Sequence, residues 1–582
     1  MSKYKAQQKS TPLSGAGAAK GTATIQAEKK AGQIIPYPGL LLAAAVLLVY
    51  FPVFSFGFTE LDDTIFVKEF RVFNEDIHNL ITAFTRGLFD AIKDPYYRPL
   101  FSDAMILNYQ ISGEEPGGYH VVNVMLHLIS VLLFYRLGIK LGIAKGHSFL
   151  MALIFAVHPV LSQAVAWIPG RNDTMLAVFV LAFFLNMVSY TVDGKGKSFL
   201  LSGVTLLLAY FTKETAVFAA PAGFLLLVLY MGKQWNDTRL SRQYGLWVVC
   251  FLIWFGARAM ATIQSSGIAT GDAVNDFIHR LPVILQYIGK VVLPFNLSVF
   301  PTQEDTVLYF GIAALVILGI VVFLSLRKDG VHDSENQGGP KAIYASFGVF
   351  ILFLMPALLV PNALNQQTFE HRLYLPVIGL LLMIPQTVLF RNKLTEKQLI
   401  LSVVAVCGVF AVINHNHQKS FESPRAFWTQ AVETSPNSAF ANMSLAARLD
   451  TSEFKRSEEL FRKAYRINPK EKYLNFYIGE LLQKKDSVAA SEAYLLTEQR
   501  LSDYIRCDFY LARVDMEKRD LAGAIQHLER FLGRDKYNAM ANNNLLLIYL
   551  DAGQNEKARQ QVGRMRSLGM DIPQSIIARL GM

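Results

Sequence analysis

Long apolar runs separated by short polar connections dominate the first 415 residues. A helix needs about 20 apolar residues to cross a bilayer, and eleven runs approach that length: 36–56, 118–139, 147–166, 173–191, 198–212, 215–231, 244–262, 306–326, 343–361, 373–390 and 398–414. A twelfth candidate, 281–300, contains Lys290 and Pro294, which favours an interfacial or re-entrant helix. The pattern predicts an all-α, polytopic bundle of about eleven transmembrane helices over residues 36–415.

The pattern changes after about residue 421, where the apolar runs shorten to those of amphipathic helices. Small residues recur there in steps of 34, 33 and 34 residues, at Ser457, Ser491, Ala524 and Ala558. This period is typical of tetratricopeptide repeats, in which small side chains let paired helices pack closely. We therefore expect a tetratricopeptide-repeat α-solenoid over 421–582 with a concave face that holds an extended peptide. A purely structural cap is the alternative.

Lysine and arginine are distributed unevenly between the two sides of the predicted bundle. The segments on the N-terminal side carry 19 of them, and the longer segments on the opposite side carry 10. Because positive loops stay in the cytoplasm, we expect a cytoplasmic N-terminus and a disordered basic tail over residues 1–35. An odd number of crossings then places the repeats on the extracytoplasmic side, in a bacterial periplasm or in a eukaryotic endoplasmic reticulum lumen.

Composition agrees with an integral membrane protein, since 52% of the residues are hydrophobic and 18% are charged. The net charge of +10 is spread over short loops, as a positive-inside topology produces, so we expect no nucleic-acid partner. Three cysteines, two of them inside apolar runs, do not suggest a disulfide framework.

Asp62 and Asp63 lie a few residues beyond the first apolar run, at the start of the predicted external loop 57–117. Two adjacent carboxylates at a membrane face are costly to hold near a low dielectric, which suggests a catalytic base or a cation site. The alternative is that the pair caps the next helix or lies in water.

Further polar groups lie at the same predicted end of the later helices. They are Arg98, His120, Asn123, His127, Arg171, Lys213, His371 and Arg372. The i, i+3 and i+7 spacing of His120, Asn123 and His127 places these three on one helical face. Under the predicted topology, all of these groups converge on the leaflet that contains Asp62.

This set resembles the protein O-mannosyltransferase superfamily of the GT-C fold, and most closely the transmembrane O-mannosyltransferase family with C-terminal tetratricopeptide repeats. The matching elements are Asp62-Asp63, Tyr97-Arg98-Pro99-Leu100, His120 with Asn123 and His127, Gly170-Arg171, Lys213-Glu214, and Arg372 with Tyr374-Leu375-Pro376. The chain departs from the broader family by having Asp at position 63 in place of Glu. It also has only about four repeats, which indicates a bacterial-type member. The resemblance implies a polyprenyl-phosphate sugar donor and inversion at the anomeric carbon in a single displacement.

The reaction requires a base for the acceptor hydroxyl and cations for the leaving phosphate. We expect Asp62 to be the base, with Asp63 as its neighbour. Donor-phosphate binding is expected of Arg171, Lys213 and Arg372. Supporting roles are expected of Arg98, His120, Asn123, His127 and His371. The alternatives are ion pairs of Lys213 with Glu214 and of Arg171 with Asp173, or snorkelling of the cations to lipid headgroups.

The function expected from these features is an integral membrane glycosyltransferase. It would transfer a monosaccharide, with mannose as the first candidate, from a polyprenyl-phosphate donor to a hydroxyl of a protein acceptor brought by the repeats. Two alternatives stay open, namely a lipid or glycan acceptor with repeats that recruit partners, and a non-catalytic membrane scaffold. No metal-ligand spacing is present, although the acidic pair leaves a divalent cation open. If the repeats only concentrate the acceptor, their removal should leave donor hydrolysis nearly intact.

Overall fold

The computed structural model describes residues 35–89, 96–261, 273–327, 339–359, 367–391 and 395–582. The predicted disordered tail lies outside these residues except for its last position. The described residues form helices and contain no β-strand, apart from one isolated bridge between Thr302 and Gln367. The predicted all-α class is confirmed.

The N-terminal part of the chain, through residue 418, contains the long apolar helices and several short ones. They are α1 (Pro38–Tyr50), α2 (Arg71–Glu75), α3 (Asn79–Thr82), α4 (Pro99–Ser112), α5 (Pro116–Lys140), α6 (Lys145–Val157), α7 (Ser162–Ala166), α8 (Arg171–Asp193), α9 (Gly196–Thr212), α10 (Ala219–Phe224), α11 (Thr238–Ala261), α12 (Ala273–Val292), α13 (Tyr309–Leu326), α14 (Gly339–Leu359), α15 (Tyr374–Met383), α16 (Val388–Arg391) and α17 (Glu396–Gln418). Two of them begin at a proline, Pro99 in α4 and Pro116 in α5. Proline suits a first helical position because its missing N–H would have no partner there.

Short irregular turns connect many of these helices. The 3₁₀ segments are Phe51–Ser55, Ala83–Thr85, Pro159–Leu161, Ile168–Gly170, Glu214–Phe218, Glu370–Leu373 and Ile384–Gln386, and the π segments are Ile65–Glu69 and Leu225–Tyr230. The turn Glu370–Leu373 carries His371 and Arg372, Ile168–Gly170 directly precedes Arg171, and Glu214–Phe218 directly follows Lys213. These turns therefore direct polar side chains towards the end of the bundle where the candidate site lies.

Ten of the eleven predicted membrane spans overlap apolar helices among the described residues, whereas the predicted span 373–390 divides into Tyr374–Met383, Ile384–Gln386 and Val388–Arg391. Seven helices there are long and apolar enough to cross a bilayer, and an eighth candidate is the pair Lys145–Val157 and Pro159–Ala166, bent by 51°. The predicted spans 198–212 and 215–231 are shorter apolar helices, Gly196–Thr212 and Glu214–Tyr230. The count of eleven crossings and the sidedness of the bundle stay predictions. The doubtful segment 281–300 begins within α12, a helix that is not among the span candidates.

The C-terminal part consists of shorter helices that pack against one another in succession. They are α18 (Pro424–Thr434), α19 (Ala439–Ala446), α20 (Phe454–Ile467), α21 (Leu474–Lys484), α22 (Val488–Ser502), α23 (Arg506–Glu517), α24 (Leu521–Arg534), α25 (Ala539–Asp551), α26 (Asn555–Ser567) and α27 (Gln574–Arg579). The periodic small residues, Ser457, Ser491, Ala524 and Ala558, are all buried between these helices. This arrangement supports the repeat hypothesis, while the assignment to tetratricopeptide repeats and the boundary at 421 stay predictions.

The two parts of the chain touch through polar contacts. The Gln430 side chain of α18 accepts a hydrogen bond from the backbone N–H of Val299 at 2.9 Å. Next to it, the hydroxyls of Ser298 and Thr434 are 2.6 Å apart. A second contact joins Arg448, just beyond α19, to Glu60 in the loop after the first apolar helix. The C-terminal helices therefore lie directly against the predicted site end of the membrane bundle.

Candidate active site

The two acidic residues after the first apolar helix have different surroundings. Asp63 is buried, and its carboxylate accepts hydrogen bonds from the Thr59 hydroxyl at 2.9 Å and from the Thr64 backbone N–H at 3.0 Å. Asp62 is half-buried and lines a cavity. Asp63 thus closes the turn that carries Asp62, and the carboxylate of Asp62 is the one that faces the cavity.

This cavity has a volume of about 450 Å³, within the range of typical small-ligand sites. Charged groups from distant parts of the chain line it: Asp62, Arg98, Asp173, Lys213, Glu214, Arg258 and Arg372. Aromatic and apolar groups complete the wall, among them Phe66, Trp167, Phe218, Phe353, Pro356 and Leu375. The cavity therefore combines a charged region with an apolar one.

Two of the cations in the cavity are paired with carboxylates. The Arg98 Nε lies 3.0 Å from Glu214 Oε2, and the same carboxylate accepts a hydrogen bond from the backbone N–H of Tyr97 at 2.9 Å. The Lys213 Nζ lies 2.6 Å from Asp173 Oδ1. The sequence alternative that paired Lys213 with Glu214 is wrong, because the backbone turn at 213–214 directs the two side chains to different partners.

Arg372 has a different environment. Its Nη1 donates to the backbone carbonyl of Gln367 at 2.9 Å, and its guanidinium lies 5.8 Å from the centre of the Phe369 ring. Within the part of the chain that the structure describes, no carboxylate forms an ion pair with Arg372. A half-buried cation without a counter-charge is costly in a protein interior, so an anionic ligand in the cavity would be favoured there.

His371, next to Arg372, also lines the cavity and stacks on the Phe369 ring at a centroid distance of 5.3 Å. Its backbone N–H donates to Gln163 Oε1 at 3.0 Å, which fixes the turn. Burial lowers the pKa of His371 well below its usual value, and the charges of Lys213 and Arg372 lower it further. His371 is therefore a neutral imidazole at physiological pH.

The pKa of Asp62 shifts in the opposite direction from that of His371. Burial raises it to about 6, the negative charge of Asp63 adds to the increase, and the positive charge of Arg98 opposes it. A carboxylate of this kind is ionised at neutral pH and is a stronger proton acceptor than an ordinary Asp. Its position in the cavity and its basicity both suit a general base.

Arg171 does not line the cavity. Its guanidinium is fully buried between α4, α5 and α8, where Nε donates to Asn123 Oδ1 at 2.9 Å and Nη2 donates to Asn108 Oδ1 at 2.7 Å. The guanidinium also donates to the backbone carbonyls of Ala104 and Tyr119, each at 3.0 Å, and to the sulfur of Met105 at 3.7 Å. The structure thus brings Asp62 and Arg372 to one cavity and places Arg171 in the surrounding framework. Arg171 forms no hydrogen bond with Asp173, so the sequence alternative that paired these two residues is wrong.

The predicted helical face of α5 also belongs to this framework. Asn123 donates to the carbonyls of Trp167 and Ile168 at 3.1 and 3.2 Å, so it holds the turn that precedes α8. His127 lies 3.1 Å through Nε2 from the Ala156 carbonyl, and its Nδ1 is 2.6 Å from the Tyr374 hydroxyl. Since a carbonyl can only accept, Nε2 carries the proton and Nδ1 accepts from the hydroxyl. His120 lies 3.4 Å from the Gly57 carbonyl, at the start of the acidic loop.

Sequence reasoning missed a buried ion cluster at Glu370, which lies between the cavity-lining residues Phe369 and His371. Glu370 is fully buried, and its Oε1 lies 2.7 Å from Lys290 Nζ and accepts a hydrogen bond from the Ser298 N–H at 2.7 Å. His417 Nε2 lies 3.2 Å from Glu370 Oε2. Lys290 and His417 are 80 and 47 positions away from Glu370 along the chain, so no sequence spacing could have identified the cluster. Its effect is to anchor the turn that presents His371 and Arg372.

The acidic pair does not form a two-carboxylate cation site, because Asp63 directs its oxygens into its own turn. Among the residues that the structure describes, no three His, Cys, Asp or Glu side chains are arranged to hold a metal ion. A divalent cation bound by Asp62 would therefore receive no second carboxylate ligand from Asp63.

The described helices thus combine a half-buried carboxylate, several cations and an apolar wall around one cavity. Comparison with known proteins gives similarity to membrane glycosyltransferases. Residues 98–257 match the family model described as dolichyl-phosphate-mannose-protein mannosyltransferase. The predicted resemblance to the protein O-mannosyltransferase superfamily is confirmed.

Similarity extends beyond that segment in several curated relatives. Protein O-mannosyl-transferase TMTC3 of Mus musculus is 22% identical over 83% of this chain and 54% of its own length. A protein O-mannosyl-transferase of Caenorhabditis elegans is 24% identical over 64% of this chain and 54% of its own length. TMTC1 of Mus musculus is 39% identical over a shorter stretch, 17% of this chain and 11% of its own. The chain thus spans about half the length of the first two relatives.

A comparison of structures also gives a match. The crystal structure of an oligosaccharyltransferase from Archaeoglobus fulgidus, tethered to an acceptor peptide, aligns with a TM-score of 0.40 at 11% identity. The alignment covers 74% of this chain and 59% of the other.

Proposed function

We propose that this chain is a membrane glycosyltransferase that transfers a monosaccharide from a polyprenyl-phosphate donor to a hydroxyl of a protein acceptor on the extracytoplasmic side. The observation that carries the proposal is the shared cavity, which Asp62, Arg98, Lys213 and Arg372 line together with an apolar wall. A membrane scaffold needs no such combination, because holding charged groups at membrane depth is costly without a ligand. The similarity of residues 98–257 to mannosyltransferases makes mannose the first donor sugar to test.

The proposed reaction is a single displacement at the anomeric carbon. The acceptor oxygen forms a bond to that carbon while the bond from the carbon to the phosphate oxygen breaks. Asp62 takes the proton of the acceptor hydroxyl. The electron pair of the broken bond leaves on polyprenyl phosphate, whose growing negative charge is stabilised by fixed cations.

Arg372 is the leading candidate for contact with the donor phosphate. A guanidinium can match phosphate oxygens bidentately, and no carboxylate of the described residues forms an ion pair with that of Arg372. Arg98 and Lys213 contribute positive charge but share it with Glu214 and Asp173, so they tune the potential more than they bind. Arg171 acts as a positioning residue, since its donors are taken up by the framework of α4 and α5.

The wall formed by α14 suits the lipid part of the donor. Phe353, Pro356, Ala357 and Leu359 line the cavity along one side, and Phe218 and Leu375 add to this surface. An isoprenoid chain gains free energy by burying apolar area against such a wall. A soluble nucleotide-sugar donor would not use this surface.

The direct test is transfer by the purified full-length chain in lipid nanodiscs, with labelled polyprenyl-phosphate mannose and a library of hydroxyl-bearing peptides. We expect a glycosylated peptide whose formation requires Asp62 and Arg372. Polyprenyl-phosphate glucose and a glycolipid acceptor serve as comparison substrates. Product with the glycolipid alone would overturn the protein acceptor, and the absence of product from every donor would overturn the proposed function.

A further inference from the structure

The acidic loop that carries Asp62 is held from outside the membrane bundle. At its start, the backbone N–H of Gly57 donates to the carbonyl of Glu422 at 2.9 Å, just before α18. A side chain at Gly57 would bring its Cβ to 3.4 Å from the same carbonyl oxygen. The loop and the C-terminal helices are therefore in close backbone contact.

Arg448, two residues beyond the end of α19, makes the second contact to this loop. Its Nε donates to Glu60 Oε2 at 3.0 Å and its Nη2 donates to the Glu60 backbone carbonyl at 3.0 Å. The third nitrogen, Nη1, donates to the Ser444 carbonyl at 2.8 Å, and the guanidinium lies 5.3 Å from the Trp428 ring centre. Every nitrogen of the guanidinium is thus engaged, so its orientation is determined by α18 and α19.

The loop needs such a contact because its backbone is strained at the point of attachment. Glu60 has φ of 56°, in the left-handed region that residues with a Cβ rarely adopt. Strained residues persist when surrounding contacts over-determine them, and they cluster at functional sites. Glu60 is two residues before Asp62, and the turn between them is closed by Asp63 and Thr59.

We propose that Arg448 is a positioning residue for the catalytic base, through which the C-terminal helices complete the active site in addition to recruiting an acceptor. The inference rests on the proposed role of Asp62 as the base. In this proposal, Arg448 and Glu60 affect the chemical step by holding the loop of Asp62. Neither side chain contacts the donor or the acceptor.

The test compares Arg448→Gln, Glu60→Gln and the double variant in the full-length chain in nanodiscs. Arg462→Gln is the matched control, because Arg462 also pairs with a glutamate, Glu458 at 2.7 Å, but makes no contact with the loop. Two readouts are used. Hydrogen exchange measures the amides of residues 57–64, and steady-state kinetics separates kcat from the KM of the donor.

We expect each single variant to raise exchange in residues 57–64 and to lower kcat about tenfold, with the donor KM unchanged. The double variant should be no worse than Arg448→Gln alone, because the ion pair that Glu60→Gln removes is already lost when Arg448 is replaced. Arg462→Gln should leave both readouts at wild-type values. Unchanged exchange in residues 57–64, or equal losses in the control, would overturn the positioning role.

The two hypotheses fail differently in this experiment. If the wild-type chain transfers no sugar, the proposed function fails, while hydrogen exchange still reports whether Arg448 holds the loop. If the wild-type chain is active and Arg448→Gln keeps full kcat, the proposed function stands and the positioning role is overturned.

Discussion

At the scale of single residues, adjacent side chains of the same type have separate tasks. Asp62 and Asp63 are chemically identical in the sequence, yet the Asp63 carboxylate accepts bonds from Thr59 and Thr64 while Asp62 faces the cavity. The direction of each side chain from the turn decides this difference. Substitutions at the two positions should therefore have different consequences.

Asp62→Asn keeps the size of the side chain and removes the proton acceptor. We expect sugar transfer to fall by about 100-fold or more, while donor binding remains. Thermal stability at pH 7 should rise slightly, because the folded state no longer holds a carboxylate with a raised pKa. Asp63→Asn should lower the melting temperature instead, since one amide oxygen cannot accept all the bonds of the turn. Transfer assays and melting curves of both variants test this assignment. Near wild-type turnover of Asp62→Asn would contradict it.

The raised pKa of Asp62 predicts an acid limb in the pH profile. Because the base must be ionised, kcat/KM should fall as the pH drops through about 6. Below about pH 6 the protonated form of Asp62 predominates, and kcat/KM declines about tenfold for each further pH unit. The measurement is transfer from pH 4.5 to 8 in the full-length chain, with circular dichroism to exclude unfolding. A limb near 4, where an ordinary Asp titrates, would contradict the buried environment.

Arg372 and Arg171 provide a matched comparison of a cavity cation with a framework cation. Arg372→Ala should reduce transfer by about 10- to 100-fold for every acceptor, including water, without changing the melting temperature much. Arg171→Ala leaves the buried amides Asn108 and Asn123 without their donor, so it should cost about 3 kcal/mol of stability or more. Kinetics and thermal unfolding of both variants test the distinction. If Arg372→Ala and Arg171→Ala had equal folding defects and equal donor affinities, the distinction between a cavity cation and a framework cation would be wrong.

At the scale of elements, the cavity depends on turns held between helices far apart in the chain. Glu370 begins the 3₁₀ turn before α15, and its carboxylate meets Lys290 from α12 and His417 from α17. Removing one member would leave a buried charge without its partner, which is strongly destabilising. The doubtful segment 281–300 thus contributes a structural cation to the site turn, whatever its relation to the bilayer.

The relation of α12 to the bilayer can be tested by reporter fusions along the chain. We expect a fusion after residue 235 to report cytoplasm and a fusion after residue 430 to report the external side, because 19 Lys and Arg lie on the N-terminal side and 10 on the other. A fusion within the tail provides the cytoplasmic reference. A cytoplasmic signal after residue 430 would mean that the number of crossings is even.

At the scale of the whole molecule, the C-terminal helices contact the loop that carries Asp62, one of the residues that line the cavity. Gly57 and Glu60 in the acidic loop contact Glu422 and Arg448 of the C-terminal part. From the sequence, removal of the repeats is expected to affect only acceptor delivery. The loop contacts argue against this division, because they connect those helices to the segment that carries Asp62.

Truncation after residue 420 should therefore reduce donor hydrolysis as well as transfer. We expect hydrolysis of labelled polyprenyl-phosphate sugar to fall about tenfold or more, since the loop loses both external contacts. A truncation after residue 520, which keeps α18 to α23, should retain hydrolysis and lose part of the transfer to natural acceptors. Nearly intact hydrolysis in the shorter, folded protein would restore the simple division of labour.

The sequence by itself determined the helical class, the polytopic membrane part and the identity of several cavity residues. Apolar length and periodicity are local properties, so runs such as 36–56 and 118–139 could be recognised without tertiary information. Polar residues at the ends of such runs are costly, which is why Asp62, Lys213 and Arg372 stood out.

Only the tertiary structure decided which of these residues share the cavity and which support it. Arg171 and Lys213 have similar sequence contexts, yet the packing of α4 against α5 surrounds Arg171 with acceptors and leaves Lys213 at the cavity wall. The partners of Glu370 and Glu60 are separated from them by 80 and 388 positions. Contacts over such distances follow from how helices pack, and hydrophobic patterning along the chain contains no information about them.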